Sequence, residues 1–322
     1  MNYKKILIIR NDHIGDLVLS TAVFRELKKK FPESKIVVIT NKINRPIIKK
    51  NKNIDEILEL DIAEYNLKDI WEYFKMSGKI RKMNFDVGVD LRGSIMNSFF
   101  LLFLSRIKKR ISRTDQHPII KFFLTNPVEI PLESHAIEDN IKIINEGFGM
   151  NSKNKELEVV SDEKDGEDVE EFIKNNKLKN FVCFFPLAGL SEKQWPLRNW
   201  EKIIKNFDKK YQVLILGTSK EERILTELSR LNKNSKVFVN FDLRKLSVLF
   251  KKSKFVLTQD GGPMHIAWVS GAKLIELHNL FLFGMNKVIP LGKSSNIIYT
   301  KNVNMDSISI EEVTKEIKKM LD

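Results

Sequence analysis

An α/β chain of two Rossmann-like domains facing across a cleft is predicted by three observations. Short apolar runs of buried-strand length alternate with helical patterns along the chain, as parallel sheets require. The alternation breaks in a charged, core-poor stretch over 151–180 and starts again at Phe181. The 322 residues are enough for two separate cores. The expected domains are 1–160 and 161–322, with the last helix, 309–321, packing back on the first domain.

In the first array, Ile6-Leu7-Ile8-Ile9 and Ile36-Val37-Val38-Ile39 read as buried strands joined by a helix over Leu17–Lys30. Ligands of parallel sheets bind at the carboxyl ends of the strands. The loop 10–16 sits there and carries two acids, Asp16 and Asp12; Asp12 reads as a loop cap. Strands follow at Ile57–Leu60 and Val87–Asp90, the latter ending in Asp90-Leu91-Arg92-Gly93 on the same edge. Between them, 64–83 is a helix or loop rich in cations, Lys75, Lys79 and Arg81 among them. Ser94–Ser105 reads as a helix with six consecutive apolar residues, and the basic block 106–113 follows. That block fits either a solvated charged turn or a surface for anionic lipid.

The second array places strands at 181–185, 213–216, 237–241, 255–258 and 274–277. Helices are expected at 198–207, 220–231, around 246–250 and at 263–270, with a surface helix near 167–176 before them. Ser309-Ile310-Glu311-Glu312 is a capping box for the final helix to Leu321.

Two loops of this half could hold an anion. Asp260-Gly261-Gly262-Pro263 joins a strand to a helix whose first turn offers bare N–H groups and has Pro where a missing N–H costs nothing. Asp260 could equally be an ordinary cap there. After the strand at 181–185, the small residues Ala188, Gly189 and Ser191 could turn backbone N–H groups into a concave nest, with Lys193 adding a point charge. Trp195-Pro196 would pin this loop. Together the two loops outline a diphosphate site. Glu221 or Glu222, one βα unit along, could accept from ribose hydroxyls or simply favour a helix N-terminus.

The net charge of +13 favours polyanionic partners. The aromatic residues are not interleaved with the basic clusters, which argues against a nucleic-acid stacking platform. No G-x-G-x-x-G follows a strand and no P-loop motif occurs, against a dehydrogenase or P-loop NTPase. Cys/His metal spacing and a D-x-D pair are also missing. The single cysteine, Cys183, fits a reducing compartment. The apolar run after Met1–Lys5 is too short for a signal-peptide core. A cytoplasmic protein is expected.

These motifs, taken in order, resemble the ADP-heptose:lipopolysaccharide heptosyltransferases of glycosyltransferase family 9. They are Ile6–Arg10 through Gly15-Asp16, Phe85-Asp86 with Asp90-Leu91-Arg92-Gly93, His135-Ala136-Ile137-Glu138-Asp139-Asn140, Lys193-Gln194-Trp195-Pro196, and Asp260-Gly261-Gly262-Pro263-Met264-His265. The resemblance implies a GT-B fold and an inverting, metal-independent transfer without a cofactor. The donor, ADP-heptose, would lie on the C-terminal domain. A lipopolysaccharide-core glycolipid acceptor, at the inner face of the plasma membrane, would lie on the N-terminal one. The enzyme would be a monomer, peripheral on that membrane. By motif, Asp16 matches the general base, Lys193 the lysine on the donor phosphates, Glu221 the ribose-binding glutamate and Asp260 the aspartate near the sugar. Gly262 and His265 match the phosphate-side loop. Lys75, Lys79, Arg81 and Arg92 are the cations expected at the phosphorylated acceptor.

Two departures stand out. Gly261 replaces a Thr or Ser, and His278-Asn279-Leu280-Phe281-Leu282-Phe283-Gly284 replaces a Gly-Pro-Thr-like loop, so donor identity stays open. A nucleotide-sugar epimerase of the same fold, a non-catalytic basic binder, and a family member that binds donor without transferring it are the competing readings.

Overall fold

A computed structural model describes residues 3–62, 67–282, 285–292 and 295–322. Residues 64–66 of the cationic stretch and Phe283-Gly284 of the altered loop lie outside the described residues. The chain divides into two compact units, Met1–Glu158 and Val159–Asp322.

The first unit is built on β1 (Lys5–Ile9), β2 (Lys35–Thr40), β3 (Glu56–Glu59), β4 (Val87–Asp90), β5 (Lys109–Arg113) and β6 (Asn126–Val128). All pairings are parallel, in the order β3-β2-β1-β4-β5-β6. Helices cover both faces of such a sheet, so its inner strands are apolar without alternation, as Ile6 to Ile9 are. Strand order reverses between β1 and β4, where Ile9 lies opposite Asp90. Loops at such a reversal splay apart and leave a crevice for a ligand. The segments carrying Asp16 and Arg92 both start there.

Three details differ from the sequence expectation. The helix expected over Leu17–Lys30 is two, Ile14–Val18 and Thr21–Lys30. At the break Ser20 Oγ bonds back to Asp16 O at 2.8 Å, and Asn140 Nδ2 satisfies the carbonyl of Leu19 at 3.0 Å. The apolar run after Ser94 is a π-helix, Asn97–Phe103, packed so close to β4 that a Cβ on Gly88 would meet Leu102 Cδ2 at 2.5 Å. In the basic block Arg106 and Lys108 lie exposed in a turn, but Lys109–Arg113 is an inner strand. Its charge hides the strand signal, and Arg113 is tolerated there by pairing with Asp115 at 2.7 Å and Asp139 at 3.4 Å.

The second unit repeats the plan with β7 (Phe181–Phe185), β8 (Gln212–Gly217), β9 (Ser235–Val239), β10 (Val256–Gln259), β11 (Leu274–His278) and β12 (Ser295–Tyr299). The order is β12-β11-β10-β7-β8-β9, again parallel throughout, and the reversal falls between β7 and β10. The Lys193 loop follows β7 and the Gly261-Gly262 bend follows β10. On one face of this sheet Phe184 and Phe255 pack in a core with Trp195 and with Trp200 of helix Leu197–Lys205. The final helix, Ile310–Leu321, opens on the expected capping box at Ser309 and buries Val313 and Ile317 in this core. Edge strand β12 escaped the sequence reading because it is only half-buried.

Candidate functional site

In the first unit, Arg10 organises the crevice at the end of β1. Its guanidinium donates to Leu91 O at 2.6 Å and to Asp16 Oδ1 at 3.0 Å, and lies 3.2 Å from Asp12 Oδ1. One cation thus ties the loop after β1 to the loop after β4. His13 Nδ1 lies 3.4 Å from the other Asp16 oxygen, and that hydrogen bond raises the His13 pKa.

The loop after β4 is shaped by Asp90, which is fully buried. Its carboxylate accepts from the backbone N–H groups of Arg92 at 3.1 Å and Ser94 at 2.9 Å, and from Asn97 Nδ2 at 3.1 Å. Burial pushes its pKa up despite these bonds. Gly93 has φ +78°, and a Cβ there would strike Arg113 Cγ at 2.6 Å, so only glycine fits. The turn presents Arg92 to a cavity of about 430 Å³ whose polar walls include Arg10, Asp12, Asp16, Arg92 and Arg113. Three arginines and two carboxylates in one crevice suit an anionic, hydroxyl-bearing ligand.

Asp12 takes a backbone hydrogen bond in its own loop and also pairs with Arg10, so its role exceeds a loop cap. Residue 13 is the N-cap of the following helix and makes no side-chain cap bond. The Asp12 carboxylate is buried against Arg10, and its pKa is pushed up to about 6 by desolvation, with Asp16 adding to the rise and Arg10 opposing it. Of the four cations expected at the acceptor, only Arg92 lines this cavity. Lys75 and Lys79 line a separate hollow beside Glu59, Asp61 and Glu72, and Lys75 is paired with Glu72 at 2.9 Å. Arg81 is exposed on the same helix, Leu67–Met83. The 135–140 motif is structural: His135 Nδ1 caps Ile137 N at 3.2 Å, Asp139 braces Arg113, and Asn140 holds the helix break.

In the second unit, Lys193 and Asp260 come together. Lys193 Nζ lies 2.6 Å from Asp260 Oδ2, with side chains 15% and 4% exposed. Asp260 is therefore not the helix cap; the N-cap of Gly262–Ser270 is Gly261, which has no side chain to offer. His265 is buried on this helix one turn further on. The Lys193 loop is pinned by two glutamines. Gln194 donates to Pro186 O at 2.8 Å, and Gln259 donates to the same carbonyl at 3.0 Å and accepts from Trp195 N. Trp195 is fully buried and donates to Ile308 O at 3.0 Å, so it anchors the loop as expected.

The nest is smaller than the sequence suggested. The Ala188 N–H is spent on Gln194 Oε1 at 2.9 Å, which leaves Gly189 to Ser191 for an anion, and a Cβ at Gly189 would meet open space. Ser191 Oγ donates to Glu192 at 2.9 Å. Glu221 Oε2 accepts from Thr218 N and Oγ1, each at 2.8 Å, in a capping box; one of its oxygens is thus a cap, as the alternative reading had it.

A fully buried pair behind Asp260 went unread in the sequence. His278 Nδ1 lies 2.7 Å from Glu276 Oε1, and Glu276 Oε2 and His278 Nε2 find no hydrogen-bond partner among the described residues. Burial raises the Glu276 pKa, His278 opposes it, and Asp260 and Lys193 are near enough to contribute. The available signal was an acid inside the apolar run Leu274-Ile275-Glu276-Leu277. Next to it, Asn279 of the altered loop donates to Glu192 O at 2.9 Å, coupling that loop to Lys193's.

Among the described residues, no group of three or more His, Cys, Asp and Glu side chains is placed to hold a metal ion, and no helix is long and apolar enough to cross a membrane.

Comparison with known proteins agrees with the motif resemblance. Residues 73–318 match the family described as glycosyltransferase family 9 (heptosyltransferase). Lipopolysaccharide heptosyltransferase 2 of Escherichia coli K12 is 24% identical over 294 residues, covering 85% of this chain and 82% of that protein. The glycosyl transferase family 9 structure from Veillonella parvula superposes with a TM-score of 0.86 at 19% identity, covering 100% of this chain and 98% of its own. E. coli ADP-heptose lps heptosyltransferase II gives a TM-score of 0.81 at 18% identity, with 98% of each chain covered. The fold is that of GT-B α/β proteins, with two parallel six-stranded sheets. The chain belongs to glycosyltransferase family 9, enzymes that transfer a glycosyl group from a nucleotide sugar.

Proposed function

We propose that this enzyme transfers heptose from ADP-heptose to a hydroxyl of a lipopolysaccharide-core glycolipid, with inversion and without a metal ion. The observation that carries the reading is the Asp16 carboxylate set among Arg10, Arg92 and Arg113 in one cavity. A phosphorylated glycolipid needs such cations, and its attacking hydroxyl needs a nearby base. In this reading Asp16 takes the hydroxyl proton while the oxygen's lone pair bonds to the anomeric carbon. The bond from that carbon to the diphosphate oxygen breaks on the opposite face, and the nucleoside diphosphate leaves with the electron pair.

Lys193 and the N–H groups at Gly189, Ser191, Gly261 and Gly262 stabilise the leaving diphosphate. His265 lines the phosphate side, Glu221 uses its second oxygen on a ribose hydroxyl, and Asp260 faces the sugar once phosphate takes over Lys193. Relatives named as lipopolysaccharide heptosyltransferases support the choice of sugar and acceptor. Work at the inner membrane surface follows from such an acceptor.

A thermal-shift screen against ADP-, UDP-, GDP- and CDP-sugars tests the donor, because a ligand that binds the native state raises its melting point. ADP-heptose should give the largest shift, and turnover should require the acceptor and persist in a chelator. Conversion of donor alone would instead mark an epimerase. A larger shift with another nucleotide sugar would remove heptose from the proposal.

A further inference from the structure

We propose that an exposed aromatic face of the first unit docks on an anionic phospholipid bilayer. The inference deepens the glycolipid-acceptor reading and rests on it for its purpose.

Three helical elements, separated in the chain by β4 and β5, build the face: helix Leu67–Met83, the π-helix Asn97–Phe103, and a 3₁₀ helix at Pro118–Phe123. Their rings form an unbroken chain of contacts. Phe74 meets Phe100 at 4.9 Å, Phe100 meets Phe99 at 4.9 Å, and Phe99 meets Phe123 at 5.1 Å. Phe103 closes on Phe123 at 5.7 Å. Within this chain Phe74 and Phe103 are each over two fifths exposed, and the same helices carry Trp71 at 61%, Phe122 at 83% and Ile119 at 56% exposed. Isolated exposed apolar residues are ordinary, but a contiguous set on neighbouring elements marks an interaction surface.

The rim names the partner. Lys75 Nζ lies 5.9 Å from the Trp71 ring centre and the Arg110 guanidinium 5.6 Å from that of Phe103. Lys79, Lys108 and Lys121 are exposed on the same elements and the turn between them. Glu72 and Glu129 pair with Lys75 and Lys121, and Glu59 and Asp61 lie beside Lys79, which leaves Lys108 and Arg110 as the rim's excess positive charge. Aromatic side chains inside a cationic rim match the headgroup layer of an anionic bilayer, which takes rings at its interface and binds basic residues electrostatically.

The face also adjoins the cavity. Ile95 and Met96, which lead into the π-helix, and His117, which leads into the 3₁₀ helix, line the cavity that holds Asp16. A bilayer seated on these aromatics would place the cavity mouth beside the headgroups, where a membrane-anchored sugar acceptor presents its hydroxyls.

Vesicle flotation of the full chain tests this, with phosphatidylcholine alone or mixed with phosphatidylglycerol. The chain should float with the mixed vesicles only, and less as salt rises. The double variant Trp71→Ser/Phe122→Ser should bind about tenfold more weakly or worse, since interfacial affinity scales with buried apolar area. Both positions are exposed, so its melting temperature and its donor-induced thermal shift should match the parent's. Failure of the parent to float, or equal flotation of the variant, would overturn the proposal. So would a concentration-dependent dimer that the double variant abolishes, because the occupant would then be a second copy. A chain that floats yet shows no nucleotide-sugar shift keeps the surface and sinks the functional reading instead.

Discussion

Replacing Lys193 by Met strips the buried Asp260 carboxylate of its cation. The pair is 2.6 Å apart, Asp260 is almost fully enclosed, and Lys193 is only slightly open to solvent. Removing one partner of such a pair costs about 3–5 kcal/mol, because the other charge stays buried without compensation. The 15% exposure of Lys193 puts the expectation at the lower end, about 3 kcal/mol. In a unit of this size that lowers the melting temperature by roughly 6–12 °C. The double variant Lys193→Met/Asp260→Asn removes both charges and should recover to within about 1 kcal/mol of the parent. Thermal and urea unfolding of the parent, Lys193→Met, Asp260→Asn and the double variant closes the cycle. Donor affinity is the second readout. A charge-assisted bond to phosphate contributes about 1.5–3 kcal/mol, so both Lys193 variants should bind nucleotide sugar roughly 10–150-fold more weakly. A double variant as unstable as Lys193→Met would refute the uncompensated-charge argument. A stable double variant with full donor affinity would remove Lys193 from the phosphate site.

Three further outcomes follow from particular side chains. Asp16→Asn should lower turnover by about 10²–10⁴-fold while leaving the donor-induced thermal shift intact, and unchanged turnover would end its role as base. Asp12, lifted by burial to about 6, gives a pH-dependent effect. Its folded form holds the proton more tightly than the unfolded chain, so its contribution to stability is present below about pH 4 and lost as pH rises to about 6. The stability of Asp12→Asn relative to the parent should therefore rise by up to about 3 kcal/mol between those pH values in chemical denaturation, and a flat difference would show that Asp12 titrates normally. Gly261 has φ 168°, extended backbone open to any residue, and a Cβ there would come no nearer than 3.9 Å to Pro263 Cδ. Gly261→Ser should thus fold normally and gain a few tenths of a kcal/mol as an N-cap, about 1 °C in melting temperature; a loss of more than about 1 kcal/mol would contradict the packing described.

The unread parts of the fold share one cause. Periodicity reports how a segment partitions between water and core, so it found strands whose side chains are apolar, such as Ile6–Ile9 and Phe181–Phe185. It missed β5, where Arg110 and Arg113 sit in an inner strand because other segments supply their partners: Phe123 O accepts from Arg110 at 2.6 Å, and Asp139 lies 3.4 Å from Arg113. It could not foresee that the consecutive apolar run after Ser94 would widen into a π-helix, since a run without polar gaps carries no helical phase. The candidate site divides the same way. Asp16, Lys193 and Asp260 were legible as charged residues in the segments that follow strands. Arg10 and Asp12 looked like one more basic residue and one more cap, and nothing local says that a single guanidinium reaches Asp12, Asp16 and Leu91 together.

By itself the sequence determined the local alternation of strand and helix, the restart of that alternation at Phe181, and the glycines and charges at the strand ends, because each depends on residues adjacent in the chain. Only the tertiary structure decided the strand order, which brings the ends of β1 and β4 together in one sheet and those of β7 and β10 in the other. It alone paired Lys193 with Asp260 and buried Glu276 against His278, because the stability of a buried charge depends on distance in space, over which separation along the chain has no say.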